Sequence, residues 1–196
     1  MRDTSISYPF SCLRDTPFGP VALLWSVHKG VPKILRIVLS KPGVSARDRV
    51  HNRFSGLTPS TFSEIDSTAE RITAFLEGED VRFSLDILLM DMCTVFQQKV
   101  LRAEFSIPRG KVSTYQRIAG HSGYDKAARP VGSALARNPF PVVIPCHRAV
   151  RTDRTLGGFH GGLEMKKALL ELEGVLFDSQ GRVTPDRMYY RNRRPQ

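Results

Sequence analysis

The stretch that decides the fold spans residues 107–138 and has the sequence IPRGKVSTYQRIAGHSGYDKAARPVGSALARN. It predicts two short helices separated by the turn residues HSGYD. Proline fits only the first turn of a helix, so Pro130 places the start of the second helix near Ala127 or Ala128, and Asn138-Pro139 ends it. Such a pair with a Gly-containing turn predicts a helix-turn-helix, whose second helix is the one placed in a DNA groove. Similar pairs also occur in proteins that bind no nucleic acid.

Further helices are predicted on both sides of this pair. Upstream, Thr94 caps a helix that continues to about Arg102 and carries Val100 and Leu101 on one face. Downstream, LEMKKALLELE at 163–173 has helical spacing and stops at Gly174. The second half of the chain is therefore predicted to be mostly helical.

The first half predicts a small sheet with helices. Segments 16–26 and 33–39 are two strands of a β-hairpin, joined by the turn HKGVP. Residues 62–77 have helical spacing, with Ser63 as the cap. The loop 40–62 is expected to contain a short helix, and VRFSLDILL at 81–89 is a further strand or an extended link.

The two halves of the chain differ in charge. Residues 1–90 hold 11 Lys/Arg and 10 Asp/Glu, whereas residues 91–196 hold 18 and 9, so the second half carries +9 of the net charge of +10. A positive field attracts polyanions, and DNA is the obvious one. A solvated basic surface without a partner fits the charge equally well. We predict an α/β domain over residues 1–90 and a mostly helical domain over residues 91–196 that ends in a basic tail, RMYYRNRRPQ.

Cysteine usage and hydropathy exclude several classes of protein. The three cysteines are odd in number and form no CxxC pair, which argues against a disulfide scaffold and a structural zinc site. No stretch approaches the ~20 apolar residues that span a membrane. The N-terminus lacks the apolar core of a signal peptide. We expect a soluble monomer in the cytoplasm, or in the nucleus of a eukaryote.

Cys146 is the cysteine with a chemically suggestive neighbourhood, in the run Ile144-Pro145-Cys146-His147-Arg148. A thiol attacks only as the thiolate, and its ordinary pKa is ~8.5. His147 can take the proton, Arg148 favours the anion, and a distant Glu173 would have to orient His147 to complete a relay. Adjacent Cys and His residues are also common in purely structural settings.

The surrounding sequence closely resembles the O6-alkylguanine-DNA alkyltransferase family. The resemblance covers about residues 91–176, whereas residues 1–90 match mainly at TPFG and the strand that follows. The matching positions are Phe96-Gln97, Ile107-Pro108-x-Gly110, Tyr115, Ala127-Ala128-Arg129-x-Val131-Gly132, Asn138-Pro139, Ile144 to Arg148, Gly157, Gly161-Gly162, Lys166, Leu169-Leu170 and Glu173-Gly174. The fold that this resemblance implies is mixed α/β. It has a ribonuclease H-like N-terminal domain with a small antiparallel sheet, and a winged-helix-like C-terminal domain with the helix-turn-helix.

The activity implied by the resemblance is a single-use transfer. The protein flips an alkylated guanine out of duplex DNA, because the O6 substituent lies inside the base stack. The thiolate then attacks the alkyl carbon, which yields S-alkylcysteine and restored guanine. Nothing regenerates the cysteine, and the transfer needs no metal or organic cofactor. O4-alkylthymine is a second expected substrate.

Residue roles follow by position from the resemblance. Cys146 accepts the alkyl group, His147 deprotonates it through a water, and Glu173 orients His147. Tyr115 assists departure of the guanine at N3. Asn138 buttresses the turn between the recognition helix and an active-site strand.

The resemblance also assigns the binding residues. The substrate loop and its neighbours are Phe159, His160, Arg148 and Ala149. Arg129 fills the gap left by the flipped base in the minor groove, and the other DNA-binding residues are Ala128, Ser133, Ala136, Arg137, Thr114 and Gln116.

Some positions depart from the family pattern. Phe159 stands where the family has Tyr, which keeps an aromatic face and loses a hydroxyl, and His160 follows it. These two residues put the range of alkyl groups in question. Two departures predict changes in packing only: Cys93 for Gly and Leu101 for Trp. Pro130 replaces Ala in the recognition helix, and none of these three positions belongs to the acceptor or its relay.

Three other functions compete with alkyl transfer. A lesion sensor of related sequence would bind the damaged base without removing the alkyl group, but such proteins lack the acceptor that Cys146 supplies. A cysteine hydrolase would use Cys146 and His147 directly, which needs a bend because adjacent strand residues point to opposite faces. A plain DNA-binding regulator would use only the helix-turn-helix.

Overall fold

The computed structural model describes residues 9–190. The chain divides into two compact units, Met1–Glu77 with Val81–Leu89 and Gly78–Asp80 with Met90–Gln196. The last six residues of the predicted basic tail lie outside the described residues. The domain boundary at residue 90 stays a prediction.

The first unit contains a four-stranded mixed sheet. Its strands are β1 (Phe10–Arg14), β2 (Val21–His28), β3 (Val31–Leu39) and β4 (Thr58–Pro59), in the order β3-β2-β1-β4. The predicted hairpin is confirmed as antiparallel β2 and β3. Lys29 and Gly30 both have positive φ (51° and 79°), the conformation of a type I′ turn, which suits the twist of a two-residue hairpin.

Two helices belong to the same unit. These are α1 (Ala46–Arg53), the short helix expected in the loop, and α2 (Ser63–Leu76). The predicted cap at Ser63 is wrong, because Phe62 is the N-cap residue and the Ser63 hydroxyl bonds the Glu64 carboxylate at 2.5 Å. The segment 81–89 is an extended link. The Ile34 amide donates a hydrogen bond to the Ile87 carbonyl oxygen, and the Leu89 amide donates one to the Ile34 carbonyl oxygen.

The second unit is less helical than predicted, because fewer than half of its described residues lie in helices. Its helices are α3 (Val95–Phe105), α4 (Tyr115–His121), α5 (Ala128–Ala136) and α6 (Leu163–Leu172). A two-stranded parallel sheet joins β5 (Ser113–Thr114) to β6 (Ala149–Val150). The chain is thus mixed α/β. No helix among residues 9–190 is long and apolar enough to cross a membrane.

The helix ends of the second unit follow the sequence signals. The Thr94 hydroxyl caps α3 by accepting from the Gln97 amide. Pro130 lies in the first turn of α5, which begins at Ala128. After α6, Gly174 has φ 77°, the left-handed conformation that favours glycine just beyond a helix.

The expected active-site strand is absent from the described structure around Cys146. Residues Cys146–Arg148 form a 3₁₀ turn instead, and β6 begins only at Ala149. Pro145 contributes to this outcome because it cannot donate to a strand ladder. The turn packs against α3 and α6.

Candidate active site

Asn138 fixes the loop that leads to Cys146. Its Nδ2 donates to the Ile144 carbonyl oxygen at 3.1 Å, and its Oδ1 accepts from the Phe140 amide at 2.9 Å. Between these two contacts Val142 is buried with φ 75°, a strained conformation for a β-branched residue. The Asn138 side chain therefore holds a tight, strained loop just before the thiol.

His147 and Glu173 form a buried pair next to Cys146. His147 Nε2 lies 2.9 Å from Glu173 Oε1, and the side chains are 0% and 1% exposed. Arg148 donates to the same carboxylate from Nε at 3.0 Å and from Nη2 at 2.7 Å. Burial alone would raise the pKa of Glu173, but hydrogen bonds from His147 and Arg148, together with the charge of Arg148, outweigh burial and hold that pKa at about 2. Glu173 is therefore an anion across the physiological pH range.

Burial keeps both His147 and Cys146 uncharged. It lowers the pKa of His147, although the Glu173 carboxylate opposes the shift. It raises the pKa of Cys146 to about 12, although a hydrogen bond with the Asn138 side chain lowers it. The site thus pairs a protonated thiol with a neutral imidazole, which is the state in which a histidine can accept a proton.

Cys146 opens onto a pocket of about 330 Å³, within the range of small-molecule sites. The other lining residues come from the start of α4, from α5 and from the loop before α6: Tyr115, Gly132, Leu135, Ala136, Gly158, Phe159 and His160. Burial raises the pKa of Tyr115 to about 12, so its hydroxyl stays a proton donor. The Phe159 ring meets the His147 ring edge-on, with 6.0 Å between centroids.

Gly157 makes room for the Tyr115 ring. A Cβ atom at this glycine would lie 2.2 Å from the Tyr115 hydroxyl and 3.0 Å from two ring carbons. A Cβ at the next residue, Gly158, would meet no atom within 4 Å. The residue at 157 therefore controls where the Tyr115 hydroxyl can lie.

Most of the predicted DNA-binding residues lie on the surface. In the second unit the exposed ones are Arg129, Ser133, Ala136, Arg137 and Gln116, and Ala128 is half-buried. Ala136 also lines the pocket, so the exposed face of α5 borders the opening.

The structure corrects three predicted contacts. Thr114 is 4% exposed and its hydroxyl caps α4 through the Arg117 amide, so it is not on the surface to meet DNA. Arg148 and Ala149 do not line the pocket. The Arg148 guanidinium is occupied by Glu173 and by the Ile107 carbonyl, and Ala149 is fully buried in β6.

Two buried ionisable residues were given no role from the sequence. Glu104 on α3 and Lys166 on α6 are both 0% exposed. Lys166 donates from Nζ to the Ala149 carbonyl oxygen at 2.6 Å. The burial of Glu104 could have been predicted from its position, three residues after Leu101 and four after Val100, which places it on the buried face of α3. Because Glu104 is charged, the sequence pattern did not indicate that it is buried.

Among residues 9–190, no group of three or more His, Cys, Asp or Glu side chains could hold a metal ion. Cys12 and Cys93 are buried and are not in a disulfide.

The fold and the site define a mixed α/β protein with a buried cysteine that lines a pocket beside a buried His–Glu pair. A sequence model of one family, described as "6-O-methylguanine DNA methyltransferase, DNA binding domain", matches residues 95–175. A methylated-DNA–protein-cysteine methyltransferase from Mycobacterium tuberculosis is 38% identical over 159 residues, which cover 81% of this chain and 88% of the relative. The chain belongs to this methyltransferase family.

Other relatives agree with that assignment. The protein of the same name from Methanothermobacter thermautotrophicus is 45% identical over 116 residues, so the match covers 59% of this chain and 65% of the relative's length. The crystal structure of the M. tuberculosis O6-methylguanine methyltransferase superposes with a TM-score of 0.66 at 30% identity, covering 84% of this chain and 92% of that one. The same bacterial protein in complex with DNA gives a TM-score of 0.65 at 30% identity, with the same coverage.

Proposed function

We propose that this protein repairs DNA by moving the alkyl group from O6 of guanine to Cys146 in one irreversible step, with O4-alkylthymine as a second substrate. The observation that carries the proposal is the position of Cys146, which lines a pocket beside the buried His147–Glu173 pair in a chain of this family. The product is S-alkylcysteine, so each molecule acts once.

The first step is removal of the thiol proton. Glu173 holds His147 through Nε2, which leaves Nδ1 as the ring nitrogen that accepts the proton through a water. The Glu173 carboxylate stabilises the imidazolium that forms. Because burial holds the Cys146 thiol neutral, the thiolate develops only when this base acts.

The second step is displacement at the alkyl carbon. The Cys146 sulfur forms a bond to that carbon, the bond from the carbon to O6 breaks, and its electron pair passes to the guanine. Tyr115, which lines the pocket and keeps its proton, hydrogen-bonds guanine N3 as negative charge develops there. The proton taken from the thiol ends on the restored guanine. The Phe159 ring supplies the face on which the flipped base stacks, and His160 forms the neighbouring part of the pocket wall.

DNA contact is assigned to the second unit. Helices α4 and α5 pack against each other and form the proposed helix-turn-helix of a winged-helix-like domain, residues 91–196. Residues 1–90 form the proposed ribonuclease H-like supporting domain. Support comes from the charge of +9 in the second half and from the exposed α5 face that borders the pocket.

Arg129 is the proposed residue that replaces the flipped base. It is exposed in the first turn of α5, where its long side chain can enter the duplex. Ser133, Ala136 and Arg137 continue the same exposed face. Small residues there allow close approach to the minor groove, whose degenerate pattern suits a repair protein that acts in any sequence.

Stoichiometry tests the proposed reaction. A fixed amount of protein is mixed with increasing duplex containing O6-methylguanine, and the restored guanine is counted. We expect restoration to stop at one guanine per protein molecule. Restoration of many guanines per molecule would indicate a hydrolase, and tight binding without restoration would indicate a lesion sensor.

A further inference from the structure

Glu104 is a buried carboxyl group that the proposed mechanism leaves unused. It is 0% exposed on α3, and within residues 9–190 neither side-chain oxygen has a hydrogen-bond partner. Buried carboxylates are ordinarily paired, because an unmatched charge is costly in a low-dielectric interior. The groups around Glu104 must therefore account for how this carboxyl group is accommodated in the interior.

Those surroundings include the reacting cysteine. Helix α5 packs against α3, and its buried residues, Val131, Ala134 and Leu135, are all apolar. The titratable groups that interact with Glu104 come from α4, the 3₁₀ turn, α6 and the C-terminal segment; they are Tyr115, Cys146, Arg148, Lys166 and Tyr190. Lys166 is influenced in turn by Cys146, His147 and the exposed Arg151.

Two cations among residues 9–190, Arg148 and Lys166, interact with Glu104, and within these residues Lys166 forms no salt bridge with another carboxylate. Arg148 is held by three hydrogen bonds to Glu173. Lys166 bonds the neutral carbonyl of Ala149. Its ammonium group is therefore the charge that a new anion in this cluster would use.

We propose that Glu104 and Cys146 compete for the positive charge of Lys166. Glu104 is then a positioning residue that sets the pH range of alkyl transfer, and this inference rests on the proposed function. When Glu104 is protonated, Lys166 stabilises the thiolate that forms at Cys146. When Glu104 is ionised, its negative charge offsets the positive charge of Lys166 and repels the thiolate. Both effects are strong in a buried cluster because the interior screens charge poorly.

The protonation states support this competition. Burial raises the pKa of Glu104 to about 8, although Lys166 and Arg148 lower it. Burial also lowers the pKa of Lys166 to about 8, although Cys146 and Glu104 raise it. At neutral pH the cluster thus holds a neutral carboxyl and a charged ammonium, the state that favours the thiolate, and that state is lost above about pH 8.

The test is the pH dependence of Cys146 reactivity in the full-length protein. Iodoacetamide labelling of the Cys146 peptide is followed by mass from pH 6 to pH 10 in wild type, Glu104→Gln and Glu104→Asp, with exposed Glu171→Gln as the control. We expect Glu104→Gln to label on the order of tenfold faster than wild type at pH 9, equivalent to one pKa unit. Glu104→Asp and Glu171→Gln should follow the wild-type profile. Identical profiles for Glu104→Gln and wild type would overturn the proposal.

A second readout uses alkyl transfer from free O6-benzylguanine over the same pH range. Both rates lose the Lys166 ammonium above pH 8. The ratio of the Glu104→Gln rate to the wild-type rate should nevertheless rise above pH 8, because only the wild type gains a carboxylate that repels the thiolate. A parallel loss at every pH, with a lower melting temperature, would show a purely structural role and overturn the proposal. If Glu104→Gln does not fold, Glu104→Leu, which fills the site with an apolar group, takes its place under the same criteria.

The two proposals can fail separately. A shifted labelling profile without any transfer from O6-methylguanine in DNA would contradict the proposed function alone. Transfer to Cys146 with an unshifted profile would contradict the role of Glu104 alone.

Discussion

His147 Nε2 lies 2.9 Å from Glu173 Oε1, and both side chains are almost completely removed from solvent. The two residues are 26 positions apart in sequence, one in the 3₁₀ turn and the other at the C-cap of α6. Because Arg148 bonds the same carboxylate, one acidic residue anchors both residues that follow Cys146. The reactivity of the thiol therefore depends on where α6 ends.

Glu173→Gln tests this anchor. The amide keeps the shape of the side chain but leaves the Arg148 guanidinium without its buried counter-ion. We expect the free energy of unfolding to fall by ~3 kcal/mol, as when one partner of a buried ion pair is removed. Alkyl transfer should slow on the order of 100-fold, because His147 loses its orientation. Urea unfolding and single-turnover kinetics measure the two effects, and Glu171→Gln on the exposed side of α6 should change neither.

Acid should destabilise the protein through the same pair. Glu173 ionises more readily in the folded chain, with its pKa lowered from 4.5 to about 2, so its contribution is present above about pH 4.5 and is lost as the pH falls toward 2. His147 has a lowered pKa when folded, so its contribution is also lost as the pH falls below its ordinary value of 6.5. Urea unfolding between pH 4.5 and pH 3 should show stability falling as the pH falls, whereas between pH 4.5 and pH 8 the raised pKa of Glu104 acts in the opposite direction. A weaker pH dependence is expected in Glu173→Gln, and an equal dependence would argue against this pair.

Gly157→Ala should act through Tyr115. The added Cβ would lie 2.2 Å from the Tyr115 hydroxyl, so the ring has to move. Tyr115→Phe alone should slow transfer on the order of 100-fold, since one proton donor is lost. In single-turnover assays the double variant Gly157→Ala/Tyr115→Phe should transfer the alkyl group little more slowly than Tyr115→Phe alone, because both changes remove the same hydroxyl from its place. Gly158→Ala, whose Cβ meets no atom within 4 Å, is the matched control and should cost less; fully additive losses would contradict the link between Gly157 and Tyr115.

Arg129→Ala separates base flipping from chemistry. Repair of O6-methylguanine in a duplex should slow more than the reaction with free O6-benzylguanine, because only the duplex substrate leaves a gap to fill. Both rates are measured in single-turnover assays. Arg102→Ala removes the same charge from an exposed position on α3 and serves as the control. Equal losses on the two substrates would remove Arg129 from the flipping step.

Local signals predicted the helices of the second unit well. Pro130 located the start of α5, and Gly174 located the end of α6, because each residue restricts the backbone wherever it occurs. Ser63 is not the cap because it is already the first helical residue of α2, and Phe62 occupies the N-cap position. The strand β1 was not foreseen, since FSCLR is short and its pairing with β2 is a tertiary contact.

The site was only partly predictable for the same reason. The short motif around Cys146 indicated the nucleophile, and the pocket brings it together with Tyr115, Phe159 and His160. The orientation of Arg148 toward Glu173 depends on how the 3₁₀ turn packs on α6, which sequence spacing does not encode. Glu104 was overlooked because a charged residue is expected on the exposed face of a helix.

The most direct test of the account is the mass of the protein after it meets damaged DNA. Wild type and Cys146→Ser are incubated with a duplex carrying a single O6-methylguanine, and the intact proteins and their peptides are weighed. We predict that wild type gains the mass of one methylene on the peptide that contains Cys146, and that Cys146→Ser gains nothing. An unchanged wild-type mass, or the same gain in Cys146→Ser, would contradict the account.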